Sequence, residues 1–130
     1  MYKSFREMPI WIEAMEMAET VFRLSDILPR KEDYGLTAQL RRSALSVSGN
    51  IAEAFGRYHV NDKINFYYFS RGSLTETMSH LEYGQRVDYF KQKDVELINT
   101  MLESLYESIN RLIKTLKAKY KTNVKSSSQS

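Results

Sequence analysis

The polar residues between Ala38 and Arg57 fall in order. Gln39, Arg42, Ser46, Asn50, Glu53 and Arg57 recur at steps of three and four, the spacing of a single helix face. A solvated face would carry Lys and Glu at random, so this row reads as a polar seam that faces protein. Ser43, Ser48, Gly49 and Ala52 flank it with small side chains that let another helix come close, and Leu45 is the bulky exception. The chemistry such a row can support is limited. Glu53 and Glu76 could meet across two helices as paired carboxylates for acid–base work, but Arg42, Arg57 and Arg71 are equally placed to neutralise them. The pair therefore reads as part of a structural salt-bridge network. Ser43, Ser46, Ser48 and Ser73 have no His at a helical neighbour position to activate them. A di-metal centre in a helical bundle needs Glu-x-x-His on two helices. Only Glu76 and His80 come close, four apart and once, while His59 has Asp62 alone beside it. Gly72-Ser73 is no phosphate loop, because no strand precedes it. No catalytic residue, metal site or cofactor is expected, and the chain reads as a non-enzyme.

Phosphate contact is the remaining chemistry. Basic residues interleave with aromatics at Arg57-Tyr-His and from Phe66 to Arg71, a pattern compatible with backbone neutralisation and base stacking. Net charge is +3, yet its placement matters more than its size. Six of the nineteen basic residues, from Arg111 to Lys125, lie in a stretch without one acid. The other thirteen stand against sixteen acids, so the body is net −3. A sequence pI near 9.1 thus reflects a terminal feature. The same lysines also suit the negative end of a helix dipole. The candidates for nucleic-acid contact are Arg41, Arg57, Lys114, Lys117 and Lys121.

The elements that must carry these residues are helices. The 130 residues make one domain by length, and two prolines with five glycines leave little material for an all-β fold. Ile10, Ala14, Met17, Val21, Leu24 and Leu28 form one stripe, with Trp11, Met15, Ala18 and Phe22 beside it. The first helix is predicted over residues 9–28, opened by Pro9 and ended by Pro29. Leu36, Leu40, Ala44, Val47, Ile51 and Phe55 predict a second over 34–56, with Glu32 and Asp33 at its positive end. The third is predicted over 62–87, with Asn61 or Asp62 as cap. It opens with Phe66-Tyr-Tyr-Phe69, whose side chains fan over about 300° of helix surface. One core cannot bury them all, so some face a partner or a wet edge. Gly72 inside this helix calls for close packing, with Gly49 as its counterpart. The fourth, over 92–120, carries Val95, Ile98, Leu102, Leu105, Ile109, Leu112 and Leu116 in three–four alternation. Short links predict an all-α, antiparallel up-down-up-down four-helix bundle over residues 1–121, followed by a Ser-rich tail, 122–130, expected to be disordered. Cysteine is absent, which excludes disulfides and thiolate metal sites. No apolar run approaches the ~20 residues of a membrane span, and a cytoplasmic setting is expected.

Several blocks also match a known pattern. Tyr34-Gly-Leu-Thr-Ala-Gln-Leu-Arg-Arg-Ser43, Ser46, Asn50-Ile-Ala-Glu53, Arg57, Phe66 and Arg71-Gly-Ser-Leu-x-Glu76 resemble a bacterial family of four-helix-bundle proteins. Its founding members are encoded by intervening sequences in 23S ribosomal RNA genes. Its relatives include the accessory variability-determinant protein of diversity-generating retroelements. The resemblance spans roughly residues 5 to 118, and Ala54 departs from the family's frequent glycine. It implies a bundle assembling into a homopentamer without known catalytic activity. The retroelement relatives bind nucleic acid and partner a reverse transcriptase. In this light Gln39, Arg42, Asn50, Glu53, Arg71 and Glu76 are seam and assembly residues. Two functions follow as expectations: a homo-oligomeric bundle binding RNA, DNA or an RNA–protein complex, or a protein-interaction scaffold serving a reverse transcriptase or other partner.

Overall fold

A computed structural model describes the backbone of residues 1–129 and the side chains of residues 1–122 and Lys125. The chain folds as four helices: α1 (Pro9–Ser25), α2 (Leu36–Gly56), α3 (Val60–Arg86) and α4 (Gln92–Gln129). Short 3-10 turns, Phe5–Glu7 and Arg30–Glu32, precede α1 and α2. Each helix packs most closely on two others, in the cycle α1–α2–α3–α4–α1. This is a four-helix bundle, and no strand forms among the described residues.

The apolar stripes supply its core. Ala14, Met17 and Val21 of α1, Leu40, Val47 and Ile51 of α2, and Ile98, Leu102, Leu105 and Ile109 of α4 are buried. Burial of each large aliphatic side chain contributes about 2 kcal/mol. The first stripe of α2 thus faces inward as its spacing predicts, with Phe55 half-buried at its end.

The α2–α3 contact is held by small polar side chains. Ser70 donates to the Val47 carbonyl at 2.8 Å, and the Thr77 hydroxyl donates to Ser43 Oγ at 2.9 Å. Ser43 in turn donates to the Leu40 carbonyl. Ser43, Ser70 and Thr77 are all buried, and each hydroxyl finds an acceptor, as burial requires. Residue numbers fall along α2 as they rise along α3, so the two helices run antiparallel. Their close approach uses these serines and Thr77, and the expected Gly49–Gly72 contact does not form. Both glycines are exposed, and a Cβ added to either would meet nothing within 4 Å. They sit on the outer side of the helix pair, away from the line along which the helices touch.

Tight glycine packing occurs instead at Gly84. A Cβ there would overlap the Phe90 ring, which is buried. The Tyr89 and Phe90 amides both donate to the Gly84 carbonyl. Asp88 takes a left-handed φ of 65° to make the turn.

The helix ends differ from expectation where capping comes from outside the helix. α1 stops at Ser25, three residues early, and Ile27 and Leu28 continue as tighter turns bonded to Leu24 and Ser25. The Glu32 carboxylate accepts the Leu36 amide at 3.1 Å and, through its other oxygen, the Tyr89 hydroxyl at 2.9 Å. These bonds hold the Glu32 carboxyl below its ordinary value and raise the Tyr89 phenol. One side chain thereby caps α2 and ties it to the α3–α4 turn. α3 begins at Val60 rather than 62, and neither Asn61 nor Asp62 caps it: His59 holds the cap position without a side-chain bond. Lys63 instead donates to the Ala54 and Phe55 carbonyls that end α2, and burial lowers its pKa. The backbone of α4 is helical to Gln129, past the predicted end at 120. The stretch expected to be disordered, 122–130, thus has a helical backbone to Gln129, while Ser130 and the side chains of 123, 124 and 126–129 lie outside the described residues.

Candidate nucleic-acid interface

The acid-free end of α4 meets α3 in a basic cleft of about 560 Å³. Lys114, Lys117 and Lys121 line it from α4, at positions that a helix of 3.6 residues per turn brings onto one flank, with Tyr68 and Arg71 across from them on α3. The Arg71 guanidinium donates to Asn110 Oδ1 at 2.8 Å. It lies 4.9 Å from the Tyr68 ring centre and 6.0 Å from that of Tyr106. The Lys117 ammonium sits 5.2 Å from the same Tyr68 ring. Cations held against aromatic faces gain about 0.5–1 kcal/mol each at exposed sites while their charge stays available to an anion. Lys114 and Lys121 are exposed and carry no ion pair among the described residues. The cleft therefore gathers four cations with no carboxylate lining it.

The structure sorts the sequence candidates by place. Lys114, Lys117 and Lys121 come together. Arg57 does not join them: it pairs with Glu53 at 3.3 Å and stacks on Phe66 at 4.5 Å. Arg41 is held on the α1–α2 side, bonded to Ser25 Oγ at 2.6 Å and Asp26 at 3.0 Å and stacked on Phe22. Among the seam residues, Gln39, Arg42, Glu53 and Glu76 are exposed within this chain, and Asn50 is half-buried, donating to the Ser46 carbonyl. Arg71 leaves that group for the cleft.

Glu53 and Glu76 do not meet. With Ser70 opposite Val47 and Thr77 opposite Ser43, Glu53 lies level with about residue 65, roughly 16 Å along the axis from Glu76. Each finds a neighbour on its own helix instead, Glu53 with Arg57 and Glu76 with His80 at 3.6 Å. No group of three His, Asp or Glu side chains that could hold a metal occurs among the described residues.

The aromatic run distributes itself as its fan of directions requires. Tyr67 enters the core, where burial pushes its phenol up to about 12. Tyr68 turns to the cleft, Phe66 lies under Arg57, and Phe69 is left 57% exposed. Tyr68 and Arg71 belong to the basic–aromatic run, Phe66 to Arg71, that the sequence offers for phosphate contact and stacking; Asn110 is the cleft residue that reading does not single out. The available signal was Asn110, a polar residue wedged between the core positions Ile109 and Ile113.

A second concavity, about 250 Å³, lies between α1 and α2, lined by Met15, Ala18, Phe22 and Leu45 with Glu19, Arg23 and Arg41 at its rim. No helix among the described residues is long and apolar enough to cross a membrane.

Comparison with known proteins agrees with this architecture. The sequence model of one family, the 23S rRNA-intervening sequence protein, matches residues 6–117. Among solved structures, the fold is similar to that of a protein of unknown function from the S23 ribosomal protein family of Bacteroides thetaiotaomicron VPI-5482. The two are 24% identical with a TM-score of 0.75, over 81% of this chain and 98% of that one. No curated protein matches the sequence.

Proposed function

The chain belongs to the 23S rRNA-intervening sequence protein family, and from that premise we propose a non-enzymatic, self-associating helical bundle that binds structured RNA, alone or within an RNA–protein complex. The observation that carries the reading is the α3–α4 cleft, where Arg71, Lys114, Lys117 and Lys121 converge, while the residues outside these four are net −1. Self-association, to a pentamer in this reading, draws support from the outer α2–α3 face. There Gly49 and Gly72 each cost helix stability of about 1 kcal/mol against Ala with no close neighbour in the chain to explain them. A ring of copies would repeat the basic cleft and multiply its field.

Titration of a structured RNA against the protein, at salt concentrations from 50 to 200 mM, tests the binding. Affinity falling linearly with salt on logarithmic axes supports it, since released counterions drive phosphate contact. Absence of binding at low salt removes it. Mass measurement in solution, with and without RNA, tests the assembly, and a lone subunit under both conditions defeats it.

The second reading is an interaction scaffold, with a reverse transcriptase or another protein as partner. It is favoured by the apolar α1–α2 groove, where Phe22 is 53% and Leu45 59% exposed. Substituting Leu45→Glu separates the two: it abolishes partner capture in the scaffold reading and leaves RNA affinity unchanged in the first.

A further inference from the structure

We infer that the α3–α4 cleft takes a single-stranded segment of nucleic acid, an unpaired loop, bulge or end, rather than a duplex; the inference rests on the nucleic-acid reading above. Lys114, Lys117 and Lys121 succeed one another along one flank of α4. At 1.5 Å per residue they make a row about 10 Å long. The row lines a concavity, with Tyr68 and Arg71 forming the opposite wall. A strand can be laid into such a groove with its phosphates along the lysines. A duplex presents a convex surface, and reading it requires an element that protrudes into its grooves. Here the cations sit in a recess, and Tyr68 sits among them. Arg71 lies between Tyr68 and Tyr106, and Tyr106 is 39% exposed. A positive groove that follows the backbone, combined with aromatic faces on which unpaired bases stack, is the arrangement that single strands use. Paired bases keep those faces within their own stack and gain nothing from the tyrosines. Asn110 fixes Arg71 at 2.8 Å, so the guanidinium is positioned before the ligand arrives.

Fluorescence anisotropy with a 15-nucleotide unstructured RNA, the 15-base-pair RNA duplex of the same sequence, and a poly-glutamate peptide of matched charge tests this on the full chain. The single strand should bind at least tenfold tighter than either alternative. Four phosphate-neutralising cations give its affinity a salt slope of about −2.8, and Lys117→Gln lowers that by about 0.7. Loss of a stacking face in Tyr68→Leu should weaken the single strand about tenfold and leave the duplex unmoved. Should that variant melt early, Tyr106→Leu at the exposed ring provides the same comparison. Duplex affinity equal to or above that of the single strand overturns the inference while leaving the broader nucleic-acid reading standing. So does a single-strand affinity that neither the lysine nor the tyrosine variants change. Peptide affinity matching the strand overturns it in favour of an acidic protein partner. No binding of any RNA overturns both readings together.

Discussion

At the residue scale, the most exacting position is Gly84. Its missing Cβ is what admits the Phe90 ring to the core, so Gly84→Ala forces either the ring or the turn to move. Overpacking of this kind costs about 1–3 kcal/mol, read as a lowered melting temperature; Gly72→Ala, with open space around it, should raise the melting temperature of the isolated subunit. Tyr67 makes a different demand. Its phenol is buried and raised to about 12, above the unfolded value of 10.0. The stability it contributes is therefore complete below pH 10 and is lost as pH rises toward 12. Alkaline titration followed by circular dichroism should show unfolding in that window, and Tyr67→Phe should remove this part of it. Arg71 is held across the α3–α4 contact by Asn110. Asn110→Leu should release the guanidinium, cost about 1 kcal/mol of stability and weaken RNA binding without removing a charge.

At the element scale, Glu32 decides how α2 begins. The carboxylate accepts the first amide of the helix and the Tyr89 hydroxyl from the α3–α4 turn, and its pKa is depressed by those bonds. A depressed carboxyl contributes stability above its unfolded value near 4.5 and loses it as pH falls through the folded one. The melting-temperature gap between wild type and Glu32→Ala should thus narrow below pH 4.5. This cap was only half legible in the sequence. Acid at the positive end of α2 could be read from position, whereas the bridge to Tyr89 joins residues 57 apart and depends on the fold. The same distinction governs the rest. α4 could be read from Val95 to Leu116 because one face is buried and its alternation is strict. α3 was harder, since the run Phe66 to Phe69 spends its four rings on four different directions. Its start at Val60 carries no readable mark, since His59 holds the cap position without a side-chain bond. In the site, the lysines could be read from an acid-free stretch of chain. The basic–aromatic run from Phe66 to Arg71 could be read as well, but not the meeting of Tyr68 and Arg71 with Asn110 and the lysines, because that depends on how α3 and α4 are set against each other, and no spacing within one helix encodes it. The same offset between α2 and α3 separates Glu53 from Glu76.

At the scale of the whole molecule, charge is sorted by position. Arg111, Lys114, Lys117, Lys119 and Lys121 all lie on the last described stretch of α4 and are exposed, while the remainder carries the acidic excess. Removing the acid-free end tests its weight: a chain ending at Asn110 also loses Ile113 from the core, so Lys114→Gln/Lys121→Gln is the cleaner variant, expected to leave the melting curve unchanged and lower the RNA salt slope by about 1.4. This uneven sorting gives each subunit an electric dipole along the bundle. A polyanion turns such a particle before touching it, drawing in the α4 tip and pushing away the flanks. Encounters are then end-on and fast, and they slow sharply as ions are added. Copies of the chain, for their part, repel tip to tip. The long sides are left as the surfaces by which they can lie together.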